Sequence, residues 1–155
     1  MTDPQKIGFP LEQDEAGYPP AEAEWLWAYP AADGWTIDNV PWYARVVSLG
    51  DVVSVERDEQ GLLWWAEVVH RAGHSTIRIF ISSAEQDIDA LRQQLTRLGC
   101  ASELWSRERP LVAVDVPGDA DLAALIELLD EGEASGLLGW GTGHLSDAHA
   151  AAWPR

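Results

Sequence analysis

Between Arg71 and Phe80 the chain reads RAGHSTIRIF, which sets a histidine, two hydroxyls and a guanidinium into a β-prone run. Alternate residues of a strand share a face, so Thr76, Arg78 and Phe80 point one way and Ile77, Ile79 and Ile81 the other. The isoleucine face belongs under helices. Arg78 then projects from the opposite face, where a covered guanidinium needs a carboxylate or a ligand anion. Asp38 and Asn39, just before Pro41, supply one set of acceptors, and Asp51 supplies another. Asp38, Asn39, Asp51, Ser75, Thr76 and Arg78, rimmed by Trp42, would form a binding pocket in which His74 donates or accepts a proton near neutral pH. The same residues have a structural use: Gly73 turns the chain, His74 and Ser75 cap the turn, and Arg78 braces two halves of the protein through a buried ion pair. The sequence leaves both uses open.

Other reactive groups carry weaker patterns. His70 and His74 are four apart on a strand-turn segment, which is not the helical spacing of a metal pair, so no metal and no cofactor is expected. Ser75 follows His74 without a GxSxG elbow, and adjacency alone does not activate a hydroxyl. GWGTGH, residues 139–144, has glycines but no following helix or lysine to cradle a phosphate. Cys100 reads as a small core residue.

The elements that must position these groups fall into two sets. Residues 1–22 carry Pro4, Pro10, Pro19 and Pro20 and predict an extended lead-in. Residues 23–74 form a β-rich half with strands expected at about 24–29, 42–48, 51–57 and 62–70, the last two joined by the polar loop RDEQG. Trp64 and Trp65 must face opposite ways, one into the core and the other over a groove or edge. This half reads as a small antiparallel sheet or partial barrel.

Residues 75–147 alternate differently. STIRIFI is a strand, and SSAEQDIDALRQQLTRLG is a helix with Ser83 and Gln86 at capping-box spacing and Gly99 past its end. Two strands follow around RERP, then a helix capped by Asp119 and ending near Gly132, then a strand through SGLLGWGTGHL. Leucine and isoleucine recur at helical spacing at 88, 91, 95 and 98, and again at 122, 125, 126 and 129. The order is β-α-β-β-α-β, a ferredoxin-like half within an α+β protein, with the N-terminal sheet packed against it. Residues 148–155 read as a tail.

Charge is the unusual total. Twenty-six acidic residues against ten basic ones give a formal net charge of −16, which argues against a direct nucleic-acid binder and suits a basic protein partner. Six of the nine tryptophans lie in the first 65 residues, too many for one small sheet to bury, so at least two are expected partly exposed. Exposed tryptophan beside carboxylates is an interface signature. No segment approaches the ~18 consecutive apolar residues of a membrane span, the N-terminus has no leader-like apolar core, and a single cysteine fits a reducing compartment. The expected location is cytoplasmic.

The blocks FPL…GYPPAEAEWLWA, DNVPWYARVVSLGDVV, AGHSTIRI, LGC and LVAVDVP, taken in order, resemble the bacterial family called domain of unknown function 4265. The resemblance runs from about Phe9 to the final strand. Its motif positions fall on Glu24, Trp27, Asp38, Asn39, Pro41, Gly50, Asp51, Gly73, His74, Ser75, Thr76 and Arg78, which implies that the Arg71 to Phe80 region is a family feature. The family brings no assigned reaction.

Three functions compete. The first is a non-enzymatic acidic binding module, of the immunity or antitoxin type, that covers the basic surface of a toxin or nuclease. The alternative is a small enzyme or ligand-binding protein working through Asp38, His74 and Arg78. The third is an adaptor that self-associates, as a homodimer, through a sheet edge.

Overall fold

The structure is a computed structural model that describes residues 3–108 and 110–154. Met1 and Thr2 of the lead-in, Arg109 of the RERP turn and Arg155 of the tail lie outside the described residues. The fold is α+β, and the chain divides into two compact units, the first ending at Ala72 and the second beginning at Gly73.

The first unit is a closed five-stranded barrel in the order β1 (Gln5–Pro10), β2 (Ala23–Ala31), β3 (Gly34–Ile37), β4 (Val52–Arg57) and β5 (Leu63–His70). Neighbours run antiparallel except where β1 closes on β5, a parallel pair of Ile7 with Leu63 and Gly8 with Trp64. Closure removes the free edges an open sheet would leave. Alternation sends Ile7, Phe9, Leu26, Ala28, Ile37, Val53 and Leu63 inward to one buried cluster. Register shifts between Val52 and Val53 and between Ser54 and Val55 give β4 the bend that a small barrel needs.

Two expectations for this unit are corrected. Part of the proline-rich lead-in is a barrel strand, because Pro4 precedes β1 and Pro10 ends it, leaving the donors between them free to pair. Residues 42–48 are not a strand. They form a loop, and the strand in that region is β3, at Gly34–Ile37. Gly34 admits no side chain there, since a Cβ would collide with the Val53 carbonyl oxygen of the neighbouring strand. The two adjacent tryptophans divide as alternation requires. Trp65 packs against the core cluster and stacks on Phe9 with ring centroids 6.0 Å apart. Trp64 lies outside against Trp25, 4.8 Å away, over Gly8, where a Cβ would press into both rings.

The second unit runs β6 (Ser75–Ile81), α1 (Ile88–Arg97), β7 (Ala101–Leu104), β8 (Leu111–Val116), α2 (Leu122–Ala134), β9 (Leu138–Thr142) and α3 (Asp147–Ala152). Its four strands form an antiparallel sheet in the order β7-β8-β6-β9. Ile77 and Ile79 meet Leu91 and Leu95 of α1 and Leu125 and Leu129 of α2 in one buried core with Val112, Val114 and Cys100, so both helices cover the isoleucine face. Leu122 packs against this core, half-buried, and Leu125 and Leu129 carry the α2 contact rather than Ile126. Both helix caps sit later than the sequence implies. Asp87 caps α1 by accepting the Ala90 N–H, while Ser83 makes only a preceding turn with Glu85 and Gln86; Asp121, not Asp119, caps α2, which runs on to Ala134. The stretch read as a tail opens inside α3, which begins at Asp147 and is capped by Ser146.

Candidate functional site

The 42–48 loop is not β-paired, so its donors need other partners, and a carboxylate reaching over from β2 supplies them. Buried Glu24 accepts N–H groups from Trp42 (2.6 Å), Tyr43 (2.9 Å) and Ala44 (2.8 Å). At the far end of the loop Asp51, fully buried, accepts from the Ser48 N–H at 2.9 Å, the Ala72 N–H at 2.9 Å and Arg71 Nη1 at 3.0 Å. Asp51 thus has Arg71 as its cation. Arg71 also donates to the Val46 carbonyl at 2.8 Å. Asn39 Oδ1 accepts the Trp27 N–H at 2.7 Å, and exposed Asp38 gives its own N–H to the Trp27 carbonyl at 2.8 Å. In this unit Asn39 and Asp51 therefore hold backbone in place through their side chains, while Trp42 and Asp38 take part through their own N–H groups.

His74, Ser75, Thr76 and Arg78 belong to the second unit. Thr76 is locked by backbone bonds to His144 and Gly143, and Arg78 is buried with its guanidinium against Gly143, where a Cβ would stand 3.0–3.3 Å away. The structure joins two residues to this region that sequence reading passed over. Asp115 of β8 accepts from His74 Nδ1 at 2.8 Å, and His149 of α3 meets Ser75 Oγ through Nδ1 at 2.6 Å. Ser75 Oγ also accepts the Ser146 N–H at 2.8 Å. A signal existed for each: an aspartate inside the otherwise apolar LVAVDV, and a serine three residues before His149.

Burial sets the protonation of both newcomers. It pushes Asp115 above the usual carboxylate range, while the hydrogen bond and charge of His74 pull it back. Burial, and then the charge of nearby His74, push His149 below the ordinary histidine value, with the Pro117 carbonyl acting weakly the other way. His149 Nε2 makes no hydrogen bond of sound geometry among the described residues. A neutral imidazole against a serine hydroxyl is the geometry of a base and its nucleophile. Here, however, Ser75 is 1% exposed and His149 5% exposed, which closes the pair to substrate and leaves it fastening α3 to β6. His74 is the member solvent reaches, with its side chain 27% exposed and its ring oriented by Asp115. Burial raises the Cys100 thiol to about 11, so it is inert in place. Among the described residues no three His, Cys, Asp or Glu side chains gather as a metal site would require.

Residues 24–140 match the family model described as domain of unknown function (DUF4265). The chain belongs to that family. The DUF4265 match contains Glu24, Asp51, His74, Ser75, Arg78 and Asp115, and stops short of Ser146 and His149. A crystal structure of a hypothetical protein from Neisseria gonorrhoeae is similar to the DUF4265 chain with a TM-score of 0.75 and 18% identity, covering 94% of this chain and 96% of that one. At that identity the likeness concerns the fold alone. No curated protein matches the chain.

Proposed function

We propose that this protein is a non-enzymatic, acidic protein-binding module of the immunity or antitoxin type, whose partner is a basic protein such as a toxin or nuclease. The observation that carries the reading is the outer face of the barrel. Trp27 and Tyr29 stand 42% and 44% exposed on β2, and the Lys6 ammonium lies 5.2 Å from the Trp27 ring centroid. That face presents aromatic rings to a cation on a chain of net charge −16. The β7-β8-β6-β9 order supports reading the second unit as a ferredoxin-like half, an arrangement that carries no function of its own. A lone buried cysteine agrees with a reducing compartment. One observation favours a second reading, a small enzyme or ligand-binding protein: the solvent-reached His74 oriented by Asp115.

The test recovers partners from the source organism with the parent chain and with a Trp27→Ala, Tyr29→Ala double variant, then measures the purified pair. The reading expects a basic partner lost by the double variant. It also expects an association rate that falls steeply as salt shortens the Debye length toward ~8 Å, with dissociation changing less. Equal binding by the double variant, or an association rate indifferent to salt, overturns it.

A further inference from the structure

We propose that the cleft of the barrel unit beside the 43–46 loop binds a free amino acid with a large apolar side chain. The site is separate from the exposed aromatic face of β2 and does not rest on the binding-module reading. Its volume is about 530 Å³, inside the roughly 300–1,000 Å³ of small-ligand sites. The walls are Pro10, Leu11, Pro19, Tyr43 and Trp65, two prolines and two aromatic rings among them, which lose little freedom when an apolar body enters.

The walls are also fixed before any ligand arrives. Trp65 stacks on Phe9, Tyr43 meets Tyr18 edge to face at 5.7 Å, and Glu24 holds the backbone of the loop that bears Tyr43. A preformed apolar cleft binds without the cost of ordering its own side chains.

Charge selects the ligand class. Glu12 and Arg45 line the same cleft, and the side chain of neither makes a hydrogen bond or ion pair with a described residue. In a chain with 26 acids and only 10 bases, an arginine beside an apolar cleft supplies the scarcer charge. Arg71, by contrast, is spent on Asp51, and Arg107, beside the cleft of about 570 Å³ at the start of α1, is spent on Asp89 at 2.8 Å. One cation and one anion on an apolar cleft match an α-carboxylate and an α-ammonium. A zwitterion is neutral overall, so the field of a −16 protein does not repel it, whereas it opposes a monocarboxylate. The indole N–H of the wall residue Trp65 is buried with no acceptor among the described residues, so its resonance reports on the wall.

Titration of the full chain with L-phenylalanine and L-leucine, followed by calorimetry and by the indole N–H resonance of Trp65, tests the proposal. Trp65→Phe assigns that resonance. Both amino acids are expected to bind and to move it. 3-Phenylpropionate lacks the ammonium, phenethylamine lacks the carboxylate and glycine lacks the apolar body, and each is expected to bind at least about tenfold more weakly. Arg45→Ala and Glu12→Gln should each weaken L-phenylalanine binding by a similar factor while leaving the unfolding midpoint of the unliganded protein unchanged, because both side chains are exposed. No binding of either amino acid at millimolar concentration overturns the proposal. So does 3-phenylpropionate binding as well as L-phenylalanine, or a response confined to tryptophans other than Trp65.

Discussion

Replacing Glu24 is the sharpest probe of the first unit, because one buried carboxylate holds three consecutive backbone donors. In Glu24→Ala the N–H groups of Trp42, Tyr43 and Ala44 lose their acceptor, the Ala44 N–H in a buried setting and the other two part-buried. A stranded buried donor costs about 1–3 kcal/mol, and water recovers part of that for the outer two, so the expected loss is ~3–5 kcal/mol. Glu24→Gln behaves differently. Its carbonyl serves the two donors that share one oxygen, Tyr43 and Ala44, and its amide then faces the Trp42 N–H, donor against donor. The expected loss is ~1–2 kcal/mol, one charge-assisted bond. Urea unfolding separates the two, since ~4 kcal/mol at an m-value of about 2 kcal/mol/M moves the midpoint by ~2 M. Native-state amide exchange should accelerate first at residues 42–44. An alanine variant within about 1 kcal/mol of the parent, or unchanged exchange at those three amides, would refute the reasoning.

Two further outcomes follow from the second unit. His149 has a folded pKa below its ordinary 6.5, so below that pH the unfolded chain binds more protons. Its stabilising contribution is complete above pH ~6.5 and is lost as pH falls from there through the lower folded pKa, and His149→Gln should flatten the slope of urea midpoint against pH below about 6.5. His74→Ala strips buried Asp115 of its hydrogen-bond partner and should cost ~2–3 kcal/mol, somewhat less than for a fully buried pair because His74 is partly exposed. Asp115 already has a raised folded pKa, so its protonated form favours the fold and the variant's deficit relative to the parent should shrink as pH falls toward 4, with Asp115→Asn in the same background restoring stability near pH 7. A deficit that is flat with pH would place the effect elsewhere.

The second unit was legible because its signals are local. Leucines at 91 and 95, and at 125 and 129, mark a helical face within a dozen residues, and the alternation of STIRIFI assigns Ile77 and Ile79 to that face before any partner is known. The exact caps and the short helix α3 escaped. Ser83, Asp87, Asp119 and Asp121 are all competent acceptors, and which one caps depends on where the backbone first turns, a choice made by how the apolar face seats on the sheet. The first unit depended on distant pairings. Residues 5–10 become a strand because β2 and β5 both accept them, and nothing within those six residues encodes that. Residues 42–48 carry strand-forming side chains, yet the donors of residues 42–44 are taken by Glu24, eighteen or more positions earlier, and that of Ser48 by Asp51, so no ladder forms. Asp51, His74 and Ser75 stood out in the sequence by type and Glu24 only as a position of the family resemblance, whereas Asp115 and His149 acquired their roles only when β8 and α3 were brought against β6. Composition and periodicity determine which faces must be covered. Which carboxylate, which histidine and which loop end up together is decided by contacts between residues far apart in the chain, and those exist only in the folded protein.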